Sequence, residues 1–344
     1  MNLKERVSSL VELGNYLQKN DEQLQALVKA TYLQNRWFTE ENTYKAIDAI
    51  SKQFLQKDLL ENWLSSYEIP EEDAKTVGMI MAGNIPLVGF HDLICVFLGG
   101  HRSQIKLSEK DKLLIPHFIK IMESINAEVG EYFEIVDRLE SFDAVIATGS
   151  NNSARYFEAY FGKYPNIIRK NRNAVAVLTG KESKDQLLAL GKDVFQYFGL
   201  GCRNVSKLYL PRNFDFKPML EAFHEFKEIV LHDKYKNNFD YNYTLLILNK
   251  IPYEANGCIL MNEDTSLQSR IAQLHYEFYD DNNDLEEKIK DKIDEIQCVI
   301  GDSQFFDYNM IPFGKAQSPG LADYADGVDV MNFLIQLSKK ENIT

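Results

Sequence analysis

From Thr76 onward, short apolar runs alternate with amphipathic stretches, and this alternation restricts the architectures open to the chain. "TVGMIMAG" reads as a strand, "FHDLICVFLGG" as a helix ending at glycines, and "SQIKLS" as a strand. "LLIPHFIKIMESI" then reads as a helix, "DAVIATGS" as a strand and "SARYFEAYFGKY" as a helix. The second half repeats the texture. "AVAVLTG" is a strand, "KDQLLALGKDVFQYFG" a helix and "KLYLP" a strand; a helix starts near Pro218, and "YTLLILNK" and "GCILMN" read as strands. Strands separated by helices build parallel sheets with both faces covered, because each crossover lays a helix on the sheet. Before Thr76 the text is helical to about Ser66, with Leu3, Val7, Leu10, Val11 and Leu17 at helical spacing. "YEIPEEDA" breaks it at Pro70, and Glu71 and Glu72 suit the first turn of a new element. "LEEKIKDKIDEIQ" reads as a solvated helix, and "PFGKAQSPGLADYADG" as a loop before a short final helix.

The 344 residues correspond to two domains at ~150 residues each. With 45% hydrophobic and 26% charged residues, the chain has the composition of a soluble globular protein with a sizeable core. A net charge of -13 repels nucleic acid and anionic lipid, which argues against both as partners. The opening "MNLKERVSSLVELG" lacks the apolar core of a signal peptide. Asn84, Pro86, His91 and Asp92 interrupt the apolar stretch Val77–Gly100, so no membrane span is expected there. The four cysteines form no C-x-x-C pair, and reduced thiols in a cytoplasmic protein are the expectation. The six histidines show no ligand spacing, so no metal is expected.

Three places have the residue types that chemistry needs. In "ATGSNNSARYF", Gly149 and Ser150 turn a strand into a helix whose first N–H groups suit a phosphate, although helix capping alone explains Ser and Asn there. In "MAGNIPLVGFHD", Asn84 follows a strand; its amide can donate into a cleft or simply serve the turn. In "FGLGCRNVS", Cys202 follows Gly201 and precedes Arg203, a setting for a thiolate nucleophile or for a small apolar filler. Cys95, inside "LICVFL", reads as core, and Cys258 and Cys298 as structural.

The order of these pieces resembles the aldehyde dehydrogenase superfamily. Within it, "GSNNSARYFEAYF", "NRNAVAVLTG", "GCRNVSKLYLP" and "PFGKAQSPGLADYADGV" are most similar to the LuxC-like acyl-CoA reductases. The resemblance implies an α/β fold: a Rossmann-like cofactor domain over 1–175 including the N-terminal helices, a second α/β catalytic domain over 176–301, and a C-terminal return over 302–344. The cleft between domains is the default active site. The resemblance places Cys202 at the nucleophile and Asn84 at the oxyanion donor. Lys106 and Glu109 of "KLSE" fall on the pair that holds the adenosine ribose, with Leu107 in place of the usual proline. Gly149 and Ser150 fall on the turn that meets the pyrophosphate, and Val177 of "VLTGK" on the glutamate that activates water in hydrolytic members. The implied activity is NADPH-dependent reduction of a fatty acyl-CoA, or of an acyl group on carrier protein, to a fatty aldehyde. NADH stays open as cofactor, because Glu109 would repel a 2′-phosphate. The alternatives are an oxidising aldehyde dehydrogenase and a non-catalytic subunit that binds an acyl group or a partner. A homo-oligomer or an acyl-transferring partner enzyme is left open.

Overall fold

The computed structural model describes residues 1–70, 73–302 and 310–339. Glu71 and Glu72, read as the first turn of a new element, lie outside the described residues, as do positions 303–309 and 340–344 of the C-terminal return. The chain divides into two compact units, Met1–Asn171 with Pro319–Thr344, and Arg172–Ser318. The crossings therefore fall at 171/172 and 318/319, rather than at 175/176 and 301/302.

The first unit opens with α1 (Leu3–Lys19), α2 (Glu22–Gln34), α3 (Glu40–Gln53) and α4 (Lys57–Leu64). Asn2 caps α1 by accepting from the Glu5 backbone while the Glu5 side chain accepts from the Asn2 N–H, a reciprocal capping box. Next come β1 (Thr76–Ile80), α5 (Phe90–Leu98), β2 (Arg102–Lys106), α6 (Leu114–Ile125), β3 (Phe133–Ile135), β4 (Ala144–Thr148), α7 (Asn151–Phe161) and β5 (Asn166–Arg169). The five strands pair in parallel in the order β3-β2-β1-β4-β5. Ala144 to Ala147 are all buried, as a parallel strand covered on both faces requires. α5 is buried along almost its whole length, and its Asp92 forms a buried ion pair with Arg169 at the end of β5. The strand β1 and helix α5 account for the apolar stretch at 77–100, and among the described residues no helix is long and apolar enough to cross a membrane.

The C-terminal return closes this unit. Trp63 donates to the Tyr324 hydroxyl (3.1 Å), which lies 2.6 Å from the Tyr67 hydroxyl; Tyr67 in turn donates to Asp329 (3.0 Å). The last helix, to be called α12 (Val330–Lys339), presents the Leu334 carbonyl to buried His101.

The second unit holds β6 (Asn173–Val177), α8 (Lys184–Phe195), β7 (Val205–Pro211), α9 (Phe216–His224), α10 (Asp233–Leu248), β8 (Glu254–Ala255), β9 (Leu260–Glu263), β10 (Gln273–Tyr279), α11 (Asn282–Lys290) and β11 (Ile296–Ile300). Its sheet runs β11-β6-β7-β10-β9-β8, parallel except for β8. Alternation along β6 feeds two cores. Ala174, Ala176 and the following Leu178 pack with Leu187, Leu190 and Val194 of α8; Val175 and Val177 pack with Leu285 and Ile289 of α11.

"YTLLILNK" is helical, not a strand: it forms the end of α10. Phe239, Asn242 and Leu246 are buried, whereas Ile247 and Leu248 are exposed. That is the one-sided burial of a helix, and a short apolar run cannot reveal it without its neighbours.

Candidate functional site

In the first unit, β1, β2 and β4 are parallel neighbours, with Ile80 opposite both Lys106 and Ala147. The loops after these strands therefore leave the same edge of the sheet. Asn84 follows β1, Lys106 ends β2 with Glu109 just beyond, and Gly149 and Ser150 follow β4. The chain builds outward from β1 through β2 to β3, then restarts on the other side with β4 and β5. The reversal lies between β1 and β4, and the crevice at the carboxyl ends of such strands is where open α/β sheets take ligands.

Local geometry fixes these loops. A Cβ on Gly83 would lie 2.4 Å from Ser108 Oγ and 2.6 Å from its Cβ, so only glycine lets the β1 and β2 loops meet there. Beyond Asn84, Leu87 has φ 63, a left-handed conformation that leucine rarely adopts. Its N–H donates to buried Asp111 (2.8 Å), which pins the Asn84 loop. Burial pushes the Asp111 carboxyl up to about 6, against the opposing pull of its backbone donors. Asn84 itself is half-buried.

Ser150 is the N-cap of α7, accepting from the Ser153 N–H (3.2 Å), and is exposed. The glycine before it has a packing reason. A Cβ on Gly149 would sit 2.8 Å from Ser153 Cβ and 2.9 Å from the Phe157 ring. Lys106 and Glu109 are both exposed, and Glu109 pairs with Lys112 (2.5 Å).

Cys202 belongs to the second unit, in the turn between α8 and β7. Of the four cysteines it alone is exposed; Cys95 and Cys258 are buried and Cys298 is half-buried. Burial raises the Cys95 thiol well above the usual range and pushes Cys258 up to about 11. The Cys202 turn is closed by Asn204 N–H donating to the Gly201 carbonyl (3.0 Å), with Cys202 and Arg203 as its central residues. Just upstream, Tyr197 (φ 53), Phe198 (φ 60) and Gly199 (φ 75) are consecutively left-handed. The two aromatic residues cost about 1–3 kcal/mol each in that region, and only surroundings that over-determine them hold them there. Both are buried, and the Phe198 ring lies 4.5 Å from that of His232.

Val177 does not stand near this turn. It ends β6 opposite Tyr209, whereas Cys202 precedes Val205 at the other end of the β6–β7 pair. Four residue steps of β7 separate those ends, ~13 Å along the strand. Val177 is 2% exposed and packs among Val175, Tyr209, Tyr279 and Leu285. The expectation that it occupies the water-activating position is therefore corrected: the letters of "VLTGK" align, but the side chain belongs to the core. Glu182 in the next turn is occupied too, accepting from Thr179 N–H (2.6 Å), Thr179 Oγ1 (2.8 Å) and Gly180 N–H (3.1 Å).

Sequence reasoning passed over Asp111, Asp193 and Asn204, which organise these loops. Asp193 left a signal, since it lies within a stripe of buried α8 residues, Leu190, Gly191 and Val194. Asp111 and Asn204 left none, because their roles come from contacts made in three dimensions.

No protein-family model and no curated protein matches the chain. Solved structures do. Aldehyde dehydrogenase 21 from Physcomitrella patens, in complex with succinate, superimposes with a TM-score of 0.67 at 12% identity, covering 98% of this chain and 85% of that one. Aldehyde dehydrogenase C from Pseudomonas syringae, with NAD+ and octanal, gives 0.64 at 11% identity over 88% of this chain and 73% of that one. The indole-3-acetaldehyde dehydrogenase AldA of P. syringae, with NAD+, gives 0.61 at 14% identity over 84% and 70%. Two parallel-sheet units in one chain, superimposing over most of these enzymes' length, give this protein the aldehyde-dehydrogenase-like α/β fold.

Proposed function

We propose that the protein reduces a fatty acyl-CoA thioester to a fatty aldehyde with NADPH, through an acyl-enzyme on Cys202. The observation that carries this reading is the exposure of Cys202 alone among four cysteines, on a turn that directly follows the left-handed segment Tyr197, Phe198 and Gly199. The resemblance of the motifs points to the reductase branch. Val177 contributes nothing to the choice between reduction and hydrolysis.

In this reading the Cys202 thiolate attacks the thioester carbonyl, a Cys202–acyl bond forms and coenzyme A leaves as a thiolate. The carbonyl oxygen takes hydrogen bonds from the Asn84 amide and the Cys202 N–H, donors that matter most where water is excluded. The nicotinamide, when bound, supplies a hydride to the acyl carbon. The resulting oxyanion collapses, the bond to Cys202 sulfur breaks, the aldehyde leaves and the thiolate is restored. One proton from solvent balances the released coenzyme A.

A dinucleotide fits the first unit. The α7 N-terminus with Ser150 offers N–H groups to the pyrophosphate at the sheet's reversal point, and Lys106 and Glu109 lie at the carboxyl end of β2, two strands along the same sheet edge. Pairing with Lys112 offsets the Glu109 charge, which favours acceptance of a 2′-phosphate. The deciding assay is incubation with long-chain acyl-CoA and NADPH, with aldehyde as the expected product. The second reading, oxidation of an aldehyde, is favoured by the fold neighbours' names. Acid formed from aldehyde and NAD(P)+, with no aldehyde from acyl-CoA, would establish it instead.

Asn84→Ala should lower kcat by about 10²–10³-fold, the usual effect of losing one oxyanion donor, with cofactor affinity retained. Near-normal turnover would return Asn84 to the turn. For the cofactor, Ser150→Asp is the cleaner probe, because any side chain at Gly149 collides with α7. Aspartate caps a helix as well as serine but sets a negative charge against the phosphates. NADPH affinity measured by fluorescence titration should fall about tenfold or more, since 1.4 kcal/mol is tenfold. Unchanged affinity would move the pyrophosphate elsewhere.

A further inference from the structure

We infer that Asn204 is the positioning residue of the Cys202 nucleophile, an assignment that rests on the role proposed for Cys202 above. Asn204 is 3% exposed, and its side chain uses both ends of its amide. Oδ1 accepts from the Gly201 N–H (2.8 Å); Nδ2 donates to the carbonyls of Asp193 (2.9 Å) and Gln196 (2.7 Å). Carbonyls at the end of a helix lack donors of their own, and α8 ends at Phe195. An amide alone supplies an acceptor for the turn and donors for the helix end at once. Asn204 therefore bolts the turn carrying Cys202 to the C-terminus of α8.

The bolt works against a loaded segment. Between the helix end and the turn lie the left-handed Tyr197, Phe198 and Gly199, with Phe198 held against His232 and Tyr235. An outlier of this kind, next to the one exposed cysteine, points to a conformation kept for function. Without the Asn204 side chain, the turn loses its tie to the end of α8, and the segment relaxes by moving Cys202. The same helix end reaches further. The buried Asp193 carboxylate accepts from the N–H groups of Gly314 (2.6 Å) and Ala316 (3.1 Å), so the 312–318 loop and the Cys202 turn share one anchor.

The test compares Asn204→Ala with Ser206→Ala in the full-length protein. Ser206 is the control because it donates to the Leu267 carbonyl (2.7 Å) just past the turn and does not hold it. Iodoacetamide alkylation of Cys202, located by peptide mass spectrometry, reads the thiol's placement without any substrate. Steady-state kinetics with acyl-CoA read the reaction. In Asn204→Ala, alkylation should change at least about tenfold and kcat should fall by about 10²-fold with KM within twofold, the scale of a nucleophile displaced by ~1 Å. Ser206→Ala should lower the melting temperature and leave both readouts alone. If Asn204→Ala does not fold, Asn204→Asp gives the same readouts, since it keeps the shape and the acceptor and loses the donors. Normal alkylation and kcat in a destabilised variant would overturn the inference while leaving Cys202 as nucleophile. An alkylation change without any acyl-enzyme in the wild type would uphold the clamp and sink the proposed reaction.

Discussion

Cys202→Ala should abolish aldehyde formation from acyl-CoA, with a rate loss on the order of 10⁵–10⁶-fold, the scale seen when a covalent nucleophile is removed. The expectation follows from the surroundings of all four thiols. Cys258 is raised to about 11 by burial, so at neutral pH only about one thiol in 10⁴ is ionised, and its sulfur faces the Phe223 carbonyl at 3.4 Å inside the core. Cys95 is fully buried on α5, and burial holds its thiol well above the usual range. Cys298 is half-buried on β11 and packs against the core on the α8 side. Cys202 alone combines exposure with a fixed turn. Labelled acyl-CoA should therefore modify Cys202 in the wild type and nothing in Cys202→Ala. The variant should keep its melting temperature, because an exposed side chain contributes little packing. Label on Cys298 in either protein would move the chemistry to β11 and end the assignment.

The sheets were legible in the sequence because buried parallel strands read as continuous apolar runs: "AVIAT" and "AVAV" have no other economical interpretation in a chain of this texture. β10 escaped the same reasoning although it lies inside its sheet. Its "QLHYEFY" carries a histidine and a glutamate, and both are accommodated by partners that a sequence does not display. His275 meets the Ser266 carbonyl (3.0 Å), and Glu277 binds the buried Lys207 (3.0 Å) and Lys288 (3.0 Å). The candidate site divides along the same line. As candidates, Asn84, Gly149, Ser150 and Cys202 were visible because each sits in a turn beside a strand with a recognisable residue type, and Lys106 and Glu109 because the motif order resembles a known family. Asp111 and Asn204 were not, since each is defined by a hydrogen bond to a loop distant in sequence or folded back in space, and Asp193 left only its place in a buried stripe of α8. Gly149 also has a reason the sequence does not display: Ser153 and Phe157 of the following helix leave no space for a side chain there.

Val177→Glu should destabilise the protein strongly and create no hydrolase. The new carboxyl would enter the core between Tyr209 and Leu285, where ionisation is heavily penalised and the acid stays protonated at neutral pH. An unfolded-state glutamate titrates near 4.3, so holding the folded-state group neutral at pH 7 costs about 1.36 × 2.7, or about 4 kcal/mol. The sign fixes the pH dependence. A folded-state value raised above the unfolded one means that stability is lost as pH rises from the unfolded value toward the folded one. At pH 5 the same term is about 1 kcal/mol, so the variant should lose about 3 kcal/mol more than wild type between pH 5 and pH 7 in urea unfolding. Val177→Gln, which buries an amide and cannot ionise, should lose stability equally at both pH values. The experiment also decides between core and active site. A carboxylate beside a thioester would contribute a general base, typically worth about 10²–10⁴-fold, and would leave stability nearly independent of pH because a solvated site lets it ionise. A stable, pH-insensitive Val177→Glu protein that releases fatty acid from acyl-CoA would put Val177 back beside Cys202. The position of Val177 opposite Tyr209, at the far end of β7 from the Cys202 turn, predicts the unstable one.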